Sequence, residues 1–414
     1  MPSAKPMLWP LREAFPIDAC VPRPPRGRRA GYHRGPMGTT ITASEALRGA
    51  IRAAARGLVE REILVELTVL AAVAREHLLV IGPPGTAKSE AVRRASRVFE
   101  ARYFEYLLGR FTEPSELVGP IDLKRLREGV VETETTGMLP EAELAFLDEV
   151  FLGSTAILNT LLSLLHERTF RRGRTVVRVP LRVCVAASNG LPDDDALAAF
   201  ADRFLLRVFV EPVPDAMLET LLREGDALGR TEHGEAIARL SDLDEVAELA
   251  RACDVSRVRG ELAEAVRVLR KAGVALSDRR IVKLQRLVAA AAAIDGRSAA
   301  DGRDLWPIVY AVPTADAQVQ ARSILAPLLA SSTSSTLEAA ALDASRGPDA
   351  RAARIARDAD ELLVSAAPDE EAGRRRRQRA EALLREIDAS FASDARPSSV
   401  AATRERLIAA LAAT

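Results

Sequence analysis

Two stretches carry residue types that could handle a phosphoryl group. The first, Gly82-Pro83-Pro84-Gly85-Thr86-Ala87-Lys88-Ser89, follows the apolar run Leu78-Leu79-Val80-Ile81 and precedes a helical pattern with Ala91, Val92, Ala95 and Val98. Strand, glycine-rich turn, Lys-Ser and helix is the order of a phosphate-binding loop. Its backbone N–H groups and the positive end of the following helix suit a polyphosphate. Lys88 would reach the β- and γ-phosphates, and the Ser89 hydroxyl would sit on Mg2+. Ala87 stands where such loops usually carry their second glycine, and an alanine is expected there only with negative φ. The second stretch, Leu144-Ala145-Phe146-Leu147-Asp148-Glu149, reads as a buried strand ending in two carboxylates. Asp148 is placed to hold Mg2+ through its water shell, opposite Ser89, and Glu149 to polarise a water for attack on the terminal phosphorus. The plainer readings are a chance Gly/Pro turn and a polar strand end that caps the next helix; finding both stretches in one chain speaks against each.

Three further residues could complete a hydrolytic site. Asn189 ends an apolar run that should lie beside the Asp148 strand, so its amide could orient the same water; turn chemistry before Gly190 is the alternative. Arg203, in Asp202-Arg203-Phe204, precedes the last strand and could reach a neighbouring subunit's nucleotide as an arginine finger. A salt bridge to Asp202 is its competing role. Arg279, in Ser277-Asp278-Arg279-Arg280, opens a helix and could contact the γ-phosphate from a helical lid, with Arg280 the competing choice.

The elements that must position these residues alternate. A helical pattern over 41–75 is followed by strands at 78–81, 103–108, 144–149, 181–187 and 205–210, with a deeply apolar helix over 154–166. Alternation of this kind means an α/β fold with a parallel sheet and the ligand at the C-terminal ends of its strands. An insert at about 121–137 reads as a short hairpin or a helix interruption around Glu128-Gly129, and one at 169–180 as a hairpin turning at Arg172-Gly173. From 213 to 330 the pattern is helical without strand alternation, an all-α domain. Ser331-Ser332-Thr333-Ser334-Ser335-Thr336 reads as a flexible linker. In the helical tail beyond it, Leu383, Leu384, Ile387 and Phe391 share one face, and Arg374–Arg377 is a solvated basic cluster. Residues 1–36 hold Pro2, Pro6, Pro10, Pro16, Pro22, Pro24, Pro25 and Pro36 and read as a disordered extension, with Met37 a second candidate start. The expected division is therefore 1–36, a nucleotide-binding core at 37–212, a lid at 213–330, and linker plus tail at 331–414.

Composition narrows the function classes. The 58 basic and 58 acidic residues cancel, so no global field draws the chain to nucleic acid or to a membrane surface. Aromatic residues are 4%, too few for base-stacking platforms. Cys20, Cys184 and Cys253 are scattered and odd in number, which fits neither a disulfide framework nor a zinc site and makes a reducing cytoplasm the default. No apolar run is long enough for a membrane span.

The ordered set formed by 82–89, 144–149, Asn189, Arg203 and Arg279 resembles an AAA+ ATPase. More narrowly it is similar to the MoxR family and its RavA-like branch. The narrower likeness is carried by Arg110-Phe111-Thr112, Val118-Gly119-Pro120, Thr136-Gly137-Met138-Leu139-Pro140-Glu141-Ala142-Glu143, Ile157-Leu158-Asn159-Thr160-Leu161-Leu162 and His166-Glu167-Arg168, with Ser277-Asp278-Arg279-Arg280. It spans about residues 40–312, and Ala87 fits it. The tail departs from it, showing no strand pattern where RavA-like proteins can carry a β-containing domain. The resemblance implies an α/β core with a five-stranded parallel sheet, an all-α lid, ATP and Mg2+ as cofactors, and a ring of subunits, a homo-hexamer, with ATP bound between them. It further implies remodelling of a protein client, often beside a von Willebrand A-domain partner. The related alternatives are a nucleic-acid motor, disfavoured by the charge balance and lacking zinc-ligand spacing or a helix-turn-helix, and a motor subunit of the metal-chelatase type.

Overall fold

The computed structural model describes residues 33–34, 40–230, 237–364, 370–390 and 397–412. The expectations for the proline-rich extension, for Met37 as a start and for Phe391 lie outside the described residues. The chain divides into a short segment ending at Thr42 and a large unit from Ala43 to Thr414. In the first, β1 (His33–Arg34) pairs antiparallel with β2 (Thr40–Ile41).

The large unit begins with two helices, α1 (Ala43–Ala55) and α2 (Glu62–Ala74), where one continuous helical pattern was expected. Then come β3 (Leu78–Ile81), α3 (Lys88–Val98), β4 (Tyr103–Leu107), α4 (Pro114–Val118), α5 (Leu123–Arg127), β5 (Leu144–Asp148) and α6 (Thr155–Leu162). The helix expected over 154–166 is α6 continued by a π-helical turn, Ser163–Glu167. The antiparallel hairpin β6 (Thr169–Arg172) and β7 (Thr175–Arg178) leads into β8 (Val183–Ser188), α7 (Asp195–Ala201) and β9 (Leu206–Phe209).

Five of these strands form one parallel sheet in the order β4-β5-β8-β3-β9. Because side chains alternate across a sheet, each central strand feeds two cores. Leu78, Val80, Leu144, Phe146, Val183, Val185 and Ala187 face one core. Leu79, Ile81, Ala145, Leu147, Cys184 and Ala186 face the other, with Ile157, Leu161 and Leu164. That two-sided burial explains the unbroken apolar runs, which are the mark of a sheet covered on both faces.

The helical part follows: α8 (Leu218–Arg230), α9 (Leu240–Ala252), α10 (Arg259–Lys271), α11 (Asp278–Ile294), α12 (Pro307–Tyr310) and α13 (Ala315–Leu329). Its core is continuous with the first face of the sheet. Leu243, Leu269, Leu287 and Trp306 belong to the same buried cluster as Leu70 and Val80. The all-α stretch expected over 213–330 is helical as read, and a shared core ties its helices to the sheet.

The tail consists of α14 (Glu338–Val364), α15 (Glu370–Ser390) and α16 (Ser398–Ala412), with Ile355, Leu383, Ile387, Val400 and Leu407 in a separate small core. The Ser/Thr run before it is not a free linker. Ser334 and Ser335 hydroxyls donate to Asp295 at 3.0 and 3.1 Å, and the Thr336 amide donates to the same carboxylate at 3.1 Å. Composition suggested flexibility; one carboxylate from the end of α11 supplies the acceptors that pin the segment. Glu66, buried on α2, then accepts the Ala339 and Ala340 amides at 3.2 and 2.7 Å, which satisfies donors that the start of α14 leaves open. No helix among the described residues is long and apolar enough to cross a membrane.

Candidate active site

The phosphate loop sits at the C-terminal edge of the sheet, between β3 and α3. Gly82 is fixed there by close approach: a Cβ would lie 2.3 Å from the Val210 carbonyl oxygen. Pro83, Pro84 and Gly85 are exposed, and Gly85 has φ +78°. The buried Thr86 closes the turn by donating its hydroxyl to Pro83 O at 2.9 Å. Lys88 is buried with Nζ donating to the Gly82 and Pro83 carbonyls at 2.7 and 2.9 Å. Burial lowers its pKa, while the Asp148 and Glu149 carboxylates pull the other way, so the ammonium lies in the field of both acids.

Ala87 has φ +57° and ψ +27°, the left-handed region. The expectation of negative φ is overturned: the residue adopts the conformation that the usual glycine adopts without cost. The reason lies in the loop's job. Successive N–H groups converge on an anion only where right- and left-handed residues follow one another, so the backbone shape is kept and the side chain is tolerated because Ala87 is exposed.

The carboxylates come from the neighbouring strands. Asp148 is the last residue of β5, and its carboxylate accepts the Glu149 amide at 3.0 Å. Glu149 itself is left-handed, φ +50°. Strand β8 lies between β5 and β3, so Asn189, just beyond its end, falls between the acids and the loop. Asn189 Nδ2 donates to Glu149 Oε1 at 2.6 Å. For Mg2+ the chain offers the half-buried Ser89 hydroxyl and the Asp148 carboxylate. Two hard oxygen donors and no third acid fit an ion that keeps waters and takes its remaining ligands from phosphates; among the described residues no cluster of three metal-ligating side chains exists.

The arginines stand elsewhere. β3 and β9 run parallel with Leu78 opposite Leu206 and Ile81 opposite Phe209. Arg203 precedes β9 and the phosphate loop follows β3, so about 10 Å of strand separates them. Arg203 does not pair with Asp202; it donates to Ala199 O. Asp202 is taken by Arg280, whose Nε donates to it at 2.6 Å and whose other nitrogens donate to Phe204, Leu205 and Ala311 carbonyls at 2.8 to 2.9 Å. Arg280, 2% exposed, is therefore a staple between α11 and the start of β9. Arg279 is exposed, but Arg280 holds the start of α11 at this N-terminal edge. Arg279 therefore shares an edge with Arg203, away from the loop of its own chain. Both contribute, after burial and with Lys283 and Arg168, to pushing His166 down to about 4.

Two functional contacts escaped sequence reasoning. Arg61, at the start of α2, donates Nε to Thr86 O and Nη2 to Glu211 O, both at 2.7 Å. Buried Glu76 pairs with Lys283 and Arg286 at 2.5 and 2.9 Å, joining α11 to the edge where β3 begins. Neither lies in a motif, and no local signal marks them.

The fold and this edge define a phosphate-loop nucleotide-binding core joined to an AAA-type lid. Residues 45–251 match the profile described as the MoxR domain in MoxR-vWA-beta-propeller ternary systems, and residues 253–321 match an AAA lid domain. The chain belongs to the MoxR family of AAA+ ATPases. It is 36% identical over 247 residues to uncharacterized protein MJ0812 of Methanocaldococcus jannaschii, covering 59% of this chain and 65% of that protein. It is 26% identical over 220 residues to chaperone MoxR1 of Mycobacterium tuberculosis, covering 51% and 58%. The chain thus spans less than two thirds of the length of these relatives. A crystal structure of a proposed ATPase from Cytophaga hutchinsonii shares the fold, with TM-score 0.57 and 16% identity over 71% of this chain and 96% of that one.

Proposed function

We propose that this chain hydrolyses ATP with Mg2+ in a ring of identical subunits, a hexamer, and uses the cycle to remodel a protein client. The observation that carries the reading is the pairing of Glu149 with Asn189 beside the phosphate loop, 2.6 Å between amide nitrogen and carboxylate oxygen. In this reading residues 82–89 cradle the phosphates, Lys88 leaves its two carbonyls for the β- and γ-oxygens, and Ser89 and Asp148 hold Mg2+, which neutralises phosphate charge when bound. Glu149 accepts a proton from the attacking water, and Asn189 holds that carboxylate and the water in line. Arg203 and Arg279 point the proposal towards a shared site: they occupy the edge opposite their own loop, so a neighbour's nucleotide is what they could serve.

The shared core argues against a lid that closes on its own sheet, so the moving boundary is placed between subunits. A von Willebrand A-domain protein is the proposed partner, in keeping with the systems for which the matching domain is described. The client would meet the exposed apolar residues near the inserts, Phe111 at 95%, Leu123 at 69% and Val176 at 64% exposure. The RavA-like placement rests on the residue strings alone. A cytoplasmic location is supported by the unpaired Cys184 and Cys253. Phosphate release by the purified chain tests the core of the proposal: Glu149→Gln is expected to lower turnover about 10²–10⁴-fold while ATP still binds. Turnover that survives the substitution overturns the assignment of Glu149.

A further inference from the structure

We infer that Arg61 is a positioning residue for the phosphate loop, holding the Thr86–Ala87 peptide in the plane that lets an alanine stand in the left-handed conformation. The inference rests on the ATP-site reading above and deepens it. Arg61 is 5% exposed, and its guanidinium reaches three carbonyls from three segments. Nη1 donates to Glu60 O at 2.6 Å, Nε to Thr86 O at 2.7 Å and Nη2 to Glu211 O at 2.7 Å. A planar, permanently charged fork is suited to hold several acceptors at fixed angles, which a lysine is not.

The Thr86 carbonyl is the informative acceptor. It belongs to the peptide plane whose orientation sets φ of Ala87, and that φ is +57°. For an L-residue other than glycine this conformation is unfavourable, because Cβ crowds the following carbonyl. The surroundings must then over-determine it. Thr86 is held from both sides, its hydroxyl on Pro83 O at 2.9 Å and its carbonyl on Arg61. The third acceptor, Glu211 O, follows β9 and Val210, whose own carbonyl meets Gly82 at the other end of the loop. One side chain thus braces the loop against the strand that it crowds. With glycine at 87 the same shape needs little bracing; with alanine the brace supplies what the residue lacks.

The coupling between positions 61 and 87 separates this role from a general packing role. In the full-length chain, Arg61→Ala should weaken binding of a fluorescent ATP analogue about tenfold, which is about 1.4 kcal/mol. In an Ala87→Gly background the same substitution should weaken it only about twofold. KM should carry the change and kcat at saturating ATP should not, since Arg61 touches no reacting atom. Arg61→Lys should not restore binding in the native background. Equal losses in both backgrounds would make Arg61 a plain clamp and overturn the inference, as would unchanged binding in Arg61→Ala. Should Arg61→Ala fail to fold, Arg61→Lys measured with and without Ala87→Gly reads the same coupling. Failure of the unsubstituted chain to bind the analogue overturns instead the ATP-site reading beneath it.

Discussion

The two edges of the parallel sheet are built to opposite rules. At the C-terminal edge, polar side chains end strands in short loops: Lys88 rests on loop carbonyls, Asp148 on the next amide, and Glu149 on Asn189. At the N-terminal edge, charges are locked into long-range pairs that bind the helical part to the sheet. Arg280 joins Asp202 and three carbonyls, Glu76 joins Lys283 and Arg286, and Asp244 of α9 joins Arg182 at 2.6 Å and also Arg75. The first edge keeps groups available to a ligand; the second spends them on holding the helical part in place. Arg203 and Arg279 are the exceptions at the second edge, and the contrast is sharpest between Arg279, exposed, and Arg280, buried, adjacent in sequence.

The largest expected effect tests whether Arg203 is a true exception. Arg203→Ala should lower ATP turnover by about 10³-fold or more, the range seen for arginines that stabilise phosphoryl transfer, with nucleotide binding retained. Because Arg203 stands away from its own loop, mixing Arg203→Ala with Lys88→Ala chains should restore part of the turnover: some interfaces then pair an intact loop with an intact arginine. Absence of rescue at every ratio would return Arg203 to the structural rule of its edge.

Arg280 should behave in the opposite way. Replacing it with leucine strands Asp202 and three carbonyls beside a buried apolar core. Removing one partner of a buried charged network costs about 3–5 kcal/mol; Asp202, 36% exposed, can recover part of its solvation, so the lower end is expected. Chemical denaturation should show this loss for Arg280→Leu. Arg279→Ala should stay within about 0.5 kcal/mol, as surface substitutions do. Similar losses for the two would erase the distinction drawn from their burial.

These contrasts also show what a sequence can carry. The phosphate loop, the acid pair and the sheet were legible because each depends on neighbours in the chain: two-sided burial writes unbroken apolar runs, and a loop between strand and helix writes its glycines and its lysine. Ala87 was misread for a related reason. Residue preference said negative φ, but the Thr86 carbonyl just before Ala87 is held by Arg61, 25 residues upstream of Thr86, and long-range bracing leaves no local mark. The pair Arg279 and Arg280 could not be told apart by spacing, since either can face a ligand at a helix start; only the contact of Arg280 with the start of β9 divides them. The helical pattern of 213–330 was legible, but that its apolar residues close onto the sheet's own core was not, because contacts between distant segments leave no periodicity. The Ser/Thr run looked flexible by composition, yet Asp295 and Arg48 give the Ser334, Ser335 and Thr336 hydroxyls partners.

The junction with the tail mixes the two rules, and it offers an effect read against pH. Glu66 is buried on α2 and accepts two amides of α14, as a group of the locked kind would. Burial nevertheless dominates those hydrogen bonds and raises its pKa from 4.5 to about 7. A carboxyl whose folded pKa lies above its unfolded one binds more protons in the folded chain, so its contribution falls as pH rises between about 4.5 and about 7. Glu66→Gln has no such titration. The difference in denaturation free energy between the native chain and Glu66→Gln should therefore shift against the native chain from pH 5 to pH 7.5. A difference that stays constant over that range, or that moves in favour of the native chain, would mean that the two amides hold the carboxylate charged and that the tail is fastened by the same fixed-charge rule as the N-terminal edge.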